Sequence, residues 1–176
     1  MSRAFVKDDS AGTPPIVPPR PALPPNTPNY VTPRGLALLR TELTALEAER
    51  TQTEANHDND ADRTRQLTIL NGRLSALTAR ITSAKVVDLH EQPAGEVRFG
   101  ATVVLRTRSG GKAGQERRFT IVGVDEASVA EGRVAFVAPI ARAVQGAHTG
   151  ETVPLRLGPR EEMVEVIQIS YDDPLM

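Results

Sequence analysis

Leucines recur at steps of three and four in two stretches of the chain. Leu36, Leu39, Leu43 and Leu46 make the first. Leu67, Leu70, Leu74, Leu77 and Ile81, continued by Ala84, make the second. Such spacing gathers the apolar side chains on one stripe of a helix, the heptad seam of a helix that packs against a partner. Thr32 suits an N-cap and Pro33 the first helical position. One seam cannot bury itself, so the pattern predicts an antiparallel hairpin of two helices. Pairing Leu36 with Ile81, Leu43 with Leu74 and Leu46 with Leu70 keeps the index sum almost constant, which centres the turn near Asp58 and Asn59. Arg50 and Thr53 continue the first helix beyond its last leucine, so the far turns of the arm are polar.

From about residue 95 the pattern changes to alternation. "VRFGATVVLRTR" and "ERRFTIVGV" read as strands flanking the glycine-rich turn "SGGKAGQ". "GRVAFVAP" reads as a short strand, "PIARAVQGAHTGE" as a short helix ended by glycine, and "ETVPLRL" with "EEMVEVIQISY" as a final pair around "GPR". The fold class is therefore α+β: an N-terminal antiparallel α-helical coiled-coil hairpin over 32–88, then an antiparallel β-sheet domain with one short helix over 95–176. Residues 1–31 carry eight prolines between Pro14 and Pro28 and read as a disordered tail. Within it, "PPRPALPP" also has the composition of a peptide that docks in aromatic grooves.

Composition narrows the chemistry. A net charge of -1 argues against polyanion binding by bulk charge, and the absence of cysteine excludes disulfides and thiol chemistry. No apolar run has the length of a signal peptide or a membrane span, so a cytoplasmic protein with no membrane partner is expected. Aromatic residues are only 3% of the chain, which leaves the core to Val, Ile, Leu and Ala. His57, His90 and His148 are too scattered for a metal-ligand pattern. No phosphate loop opens a helix, and no serine has a His/Asp constellation. The chain offers no self-contained catalytic site and no bound cofactor. Arg106, Arg108, Lys112, Arg117 and Arg118 lie on and beside one strand pair. They suit a weak nucleic-acid contact or an acidic protein surface, or are simply a solvated face.

The stretch "TEANHDNDADRTRQL" holds Glu54, Asp58, Asp60 and Asp62 between the two seams. One of Asp58, Asn59 and Asp60 is expected to cap the second helix, and Asp62 favours that helix's positive end. Capping needs one acid or two. Four carboxylates on the end of an arm also suit a hard cation.

The segments "VRFGATVVL", "FTIVGVDEA", "VAPIARAV" and "GETVPLRLGPREEMVEVIQISY" resemble, in order and spacing, the Gre transcript-cleavage factors of bacterial RNA polymerase. "YVTPRGLALLRTELTAL" and "NGRLSALTARITSAKVVD" resemble the family's two N-terminal helices. The resemblance covers about residues 30–173. It implies a coiled coil that enters the polymerase's secondary channel and an FKBP-like C-terminal domain that docks on the channel rim. It further implies tip carboxylates that share the Mg²⁺ of the polymerase active site while the polymerase itself hydrolyses backtracked RNA. The protein would then be an accessory factor and not an enzyme, reaching the RNA 3′ end only indirectly, and is expected as a monomer. On this basis Asp58 and Asp60 are the expected assisting carboxylates, with Glu54 and Asp62 in support. Ala138, Pro139, Ile140, Ala141 and Arg142 match the family's docking segment, with Ala138 in place of its serine. Prolyl isomerase activity is not expected. The C-terminal domain has only Phe99, Phe119, Phe136 and Tyr171, too few aromatics for such a substrate pocket.

Two departures open an alternative. The tip, Asp58-Asn59-Asp60-Ala61-Asp62, has one residue inserted relative to the family's pattern and Arg63 where tyrosine is usual. The arm is also shorter by roughly a dozen residues, about six per helix, or about 9 Å of reach. A protein that docks but does not reach would be a cleavage-incompetent regulator, like the Rnk-type short-armed relatives, or a competitor of Gre factors. A third reading is an interaction protein unrelated to polymerase that joins partners through its proline tail and hairpin.

Overall fold

The computed structural model describes residues 13–172. A short strand β1 (Asn29–Val31) leads into helix α1 (Pro33–Ala55) and, after a four-residue turn, helix α2 (Asp60–Ser83). Strand β2 (Ala84–Val86) returns to pair with β1 in parallel, Asn29 opposite Ala84 and Val31 opposite Val86. The arm is thus closed at its base by a two-stranded sheet that the sequence pattern does not predict. The two helices bury Leu39, Leu46, Leu70, Leu74 and Leu77 against each other, with Leu36, Leu43 and Ile81 half-buried beside them. Beyond Leu46 and Leu70 the arm has no buried apolar residue and ends in polar turns.

Helix α1 starts where its sequence directs. Thr32 is extended, and its hydroxyl accepts the Gly35 N–H at 2.9 Å, with Pro33 in the first turn. Helix α2 is capped by Asn59, which settles the choice among the three residues proposed for that cap.

The rest of the chain forms a five-stranded sheet in the order β5-β4-β3-β7-β6. Its strands are β3 (Thr102–Ser109), β4 (Glu116–Val122), β5 (Arg133–Ala135), β6 (Thr152–Leu157) and β7 (Arg160–Ser170). A short helix α3 (Pro139–Val144) lies between β5 and β6. The expected antiparallel sheet is corrected at one edge, because β5 runs parallel to β4. The chain after β4 crosses through a short helical turn at Val129–Glu131 before β5, so the two strands point the same way. One side of the sheet packs Val103, Leu105, Phe119, Ile121, Leu155, Val164 and Val166 against Ala141 and Val144 of α3.

The proline-rich segment differs from the unstructured tail expected over 1–31. Residues 1–12 lie outside the described residues. Residues 13–28 have almost no regular structure, yet they run along the arm. Arg20 pairs with Glu42 of α1 at 2.8 Å and with Asp125 of the sheet domain at 2.9 Å. The physical reason is local: prolines fix an extended path at little entropic cost, and arginine supplies several fixed donors along it. Among the described residues no helix is long and apolar enough to cross a membrane.

Candidate functional site

The tip of the arm is the turn Asn56–Asn59. Asn56 closes α1 and its side chain accepts the Asp58 N–H at 3.0 Å. Asn59 accepts the Asp62 N–H at 3.1 Å. Both asparagines are therefore committed to shaping the turn, and the acids are left facing solvent. Asp58 and Asp62 line one shallow hollow with Thr53, Asn56, Asn59, Arg63 and Gln66. Asp60 lies outside it and is paired with Arg63 at 2.9 Å, one turn along α2. Glu54 is near Arg50, at 3.8 Å, on α1. The structure thus separates the four expected carboxylates: Asp58 with Asp62, Asp60 with Arg63, Glu54 with Arg50. Arg63 also donates to the Asn56 carbonyl at 3.2 Å and contacts His57, so it ties the turn together. Among the described residues no three carboxylates or histidines converge to hold a cation. The Asp58 and Asp62 carboxylates are oxygen donors of the kind Mg²⁺ takes but form only part of a coordination set.

At the base, two adjacent acids hold both helices. Asp125 and Glu126 follow β4 in the stretch "GVDEA". The Glu126 side chain is only 2% exposed and takes Arg34 at 3.1 Å and Arg133 at 2.9 Å. The Thr32 hydroxyl donates to it at 2.5 Å while accepting the Gly35 N–H, so the N-cap of α1 is wired into the sheet domain. A Cβ at Gly35 would sit 2.8 Å from Glu126 Oε2, so a larger residue here would displace that carboxylate. Asp125 takes Arg80 of α2 at 3.0 Å on its second oxygen and Arg20 on its first. Asn29 donates to the Arg80 carbonyl at 2.9 Å, and Gly123 lets the chain approach to 2.6 Å between its absent Cβ and the Tyr30 carbonyl. None of these base residues stood out as functional in the sequence. The available signal was a pair of acids directly after an apolar strand, where a buried charge needs a partner.

An aromatic cluster joins arm and sheet. Tyr30, Phe99 and Phe136 meet with ring centroids 5.6–5.7 Å apart, in tilted and edge-to-face geometry. Tyr30 comes from β1, so the arm's own base fills the aromatic recess, leaving a cavity of about 50 Å³. Phe119 is buried in the core. The Tyr171 hydroxyl donates to the Glu96 carbonyl and accepts the Arg98 N–H at 2.9 Å; burial pushes its phenol pKa up.

The segment 138–142 begins α3. Pro139 and Arg142 are exposed, while Ala138 and Ile140 are half-buried. Ala141 is only 2% exposed and belongs to the core, so it cannot contact a partner as expected. Ala138 provides no side-chain cap to α3. The basic set is largely neutralised. Arg106 pairs with Glu116 at 2.7 Å, Arg117 with Glu162 at 2.7 Å, and Arg108 with Glu165. Lys112 and Arg118 have no such partner among the described residues. Acids on β4 and β7 within reach of these arginines, Glu116 directly opposite Arg106, are why the face has little excess positive charge.

Residues 92–171 match the family model described as "Transcription elongation factor, GreA/GreB, C-term". The chain is 34% identical over 103 residues to the transcription elongation factor GreA of Thioalkalivibrio sulfidiphilus, spanning 58% of this chain and 63% of that protein, just under two thirds of its length. It is 31% identical to the transcription elongation factor GreB of Neisseria meningitidis over 159 residues, spanning 82% of this chain and 95% of that protein. Since 82% of 176 residues is about 144, about 15 of those 159 aligned positions have no residue here. A solved GreA/GreB elongation factor from Nitrosomonas europaea aligns with TM-score 0.39 and 19% identity over 81% of this chain and 98% of that one.

Proposed function

Because this chain belongs to the GreA/GreB family of transcription elongation factors, we propose that it binds bacterial RNA polymerase, inserts its helix pair as a coiled coil into the secondary channel, and stimulates cleavage of backtracked RNA. The observation that carries the reading is the arm itself. It is a 23-residue helix paired with a 24-residue helix, acidic at the far end and clamped at the near end. At 1.5 Å per residue it reaches about 34 Å from the sheet domain. A lever of that length is useful only if its base is fixed, and the half-buried Asp125 and the buried Glu126 hold it there.

The sheet domain, FKBP-like in this reading, docks on the polymerase through Pro139, Ile140 and Arg142. Asp58 and Asp60, supported by Asp62 in the hollow and by Glu54 at the end of α1, would supply oxygen ligands to an Mg²⁺ held chiefly by the polymerase. That ion, when bound, lowers the pKa of a water and neutralises charge on the scissile phosphate. The chain's own part is positional. Asn56 and Asn59 hold the turn so that Asp58 faces outward, and Asp60 becomes available when Arg63 releases it. Asp62 shares the hollow with Asp58 and is the nearest substitute.

A second reading, a channel-occupying regulator that does not stimulate cleavage, is favoured by two observations. Asp60 is held by Arg63, and about 15 positions of the aligned GreB are missing here. The test is release of short 3′ fragments from 3′-labelled RNA in a backtracked polymerase complex. Acceleration that disappears in Asp58→Ala/Asp60→Ala supports the first reading. No acceleration, with inhibition of an added Gre factor, supports the second. Charged replacements of Pro139 and Ile140 should weaken polymerase binding in either case; unchanged affinity would remove the docking assignment.

A further inference from the structure

The segment 13–28 makes three separate contacts with elements that move together only if the arm is fixed to the sheet domain. Arg20 is one. Its guanidinium donates through Nη1 and Nη2 to Glu42 on α1 at 2.8 and 3.1 Å, and through Nε and Nη2 to Asp125 at 3.1 and 2.9 Å. Arg80 is the second: from α2 it donates to the Pro21 carbonyl at 2.7 Å and to Asp125 at 3.0 Å. Val17 is the third. It lies over Gly72 on α2 so closely that a Cβ there would be 2.7 Å from Val17 Cγ2. The Arg20 and Arg80 side chains are 17% and 13% exposed and that of Asp125 is 7% exposed, so this is a partly buried network and not a solvated surface pair.

We propose that residues 13–28 are a strap that locks the angle between the arm and the sheet domain, with Arg20 as its positioning residue. The bridge joins three bodies: α1 through Glu42, α2 through Arg80, and the sheet domain through Asp125. Arginine suits the position because its planar fork reaches two carboxylates at once, which a lysine ammonium on a single point cannot do with the same geometry. The prolines on either side, Pro18, Pro19 and Pro21, keep the strap extended before it binds and so reduce the ordering entropy. The consequence for function rests on the reading of the arm as a lever. A tilt of about 10° at the base of an arm about 34 Å long displaces the tip by about 6 Å. That is far more than metal coordination tolerates. The strap would thus decide whether the tip carboxylates arrive where the dock sends them.

The test uses the full chain. It contains no cysteine, so spin labels at Gln52→Cys on the arm and Gln168→Cys on β7 report a single distance by pulsed electron resonance. The unmodified strap should give a narrow distribution. Arg20→Ala should broaden it by several ångströms, and Gly72→Leu, which lifts Val17 without touching the ion pairs, should broaden it as well. Arg20→Lys should leave a width between the two. Circular dichroism should show full helix content in all of them, since Arg20 lies outside both helices and leucine is a better helix former than glycine. A distribution as narrow in Arg20→Ala and Gly72→Leu as in the parent would overturn the strap. This measurement needs no polymerase. A narrow parent distribution that broadens in the variants, together with a parent that neither binds polymerase nor affects cleavage, would uphold the strap and overturn the proposed function.

Discussion

Replacing Glu126 by alanine removes one carboxylate and leaves three donors facing each other at the base of the arm: the Thr32 hydroxyl, Arg34 and Arg133. Breaking a buried ion pair from one side costs about 3–5 kcal/mol. Here the two arginine side chains are 22% and 21% exposed, and both also reach Glu131 at 3.7 and 3.3 Å. Solvent and Glu131 therefore recover part of the loss, and about 2–3 kcal/mol is the expected net destabilisation. For a chain of this size 1 kcal/mol moves Tm by about 2–4 °C, so the midpoint should fall by about 5–10 °C. Glu126→Gln keeps an oxygen for the Thr32 hydroxyl and should cost less. Thermal melts followed at a helix-sensitive wavelength measure both variants, and Thr32→Ala alone and combined with Glu126→Ala completes a double-mutant cycle. If the cap of α1 is coupled to the sheet domain through Glu126, the double variant should lose less than the sum of the singles. Strict additivity would refute that coupling, and a fall of under about 1 °C for Glu126→Ala would refute the base clamp as a source of stability.

Two further outcomes follow from the far side of the sheet. Gly110 has φ +79°, and a Cβ there would lie 2.2 Å from the Glu161 carbonyl oxygen, whereas Gly114 has φ +82° with nothing within 4 Å. Gly114→Ala should therefore cost about 1 kcal/mol from backbone conformation alone. Gly110→Ala should cost clearly more, as urea unfolding will show. The Arg117 guanidinium, chiefly by hydrogen bonding, holds the Glu162 carboxyl below its ordinary pKa of 4.5. The pair's contribution is then fully present above pH 4.5 and is lost as pH falls through the lower folded-state value. Urea midpoints across the acid range should fall more steeply in the parent than in Arg117→Gln.

The two long helices were legible because their seam repeats over several turns and because Thr32 and Pro33 mark a start in the local sequence. The strands β3, β4, β6 and β7 were legible from alternation around glycine turns that need positive φ. Three residues each were too few to reveal β1 and β2, which pair across more than fifty positions of sequence. The parallel placement of β5 depends on a crossover that leaves no periodic trace. At the tip, the sequence gives the supply of carboxylates but not their partners. Arg63, one turn along, pairs with Asp60, and only geometry shows that Asp62 shares a hollow with Asp58. At the base, the acids of "GVDEA" carried no label in one dimension, because their partners Arg20, Thr32, Arg34 and Arg80 come from segments far upstream.

The leucine seam makes the length of the arm a discrete quantity. A helix shortened by one or two residues would rotate its remaining leucines off the shared stripe. Removing one heptad from each helix restores both the stripe and the direction in which the turn faces, and shortens the arm by about 10.5 Å. Reach in such a scaffold would then vary in quanta over evolutionary time, with base and tip each inherited whole and the number of seam layers between them counted like links in a chain.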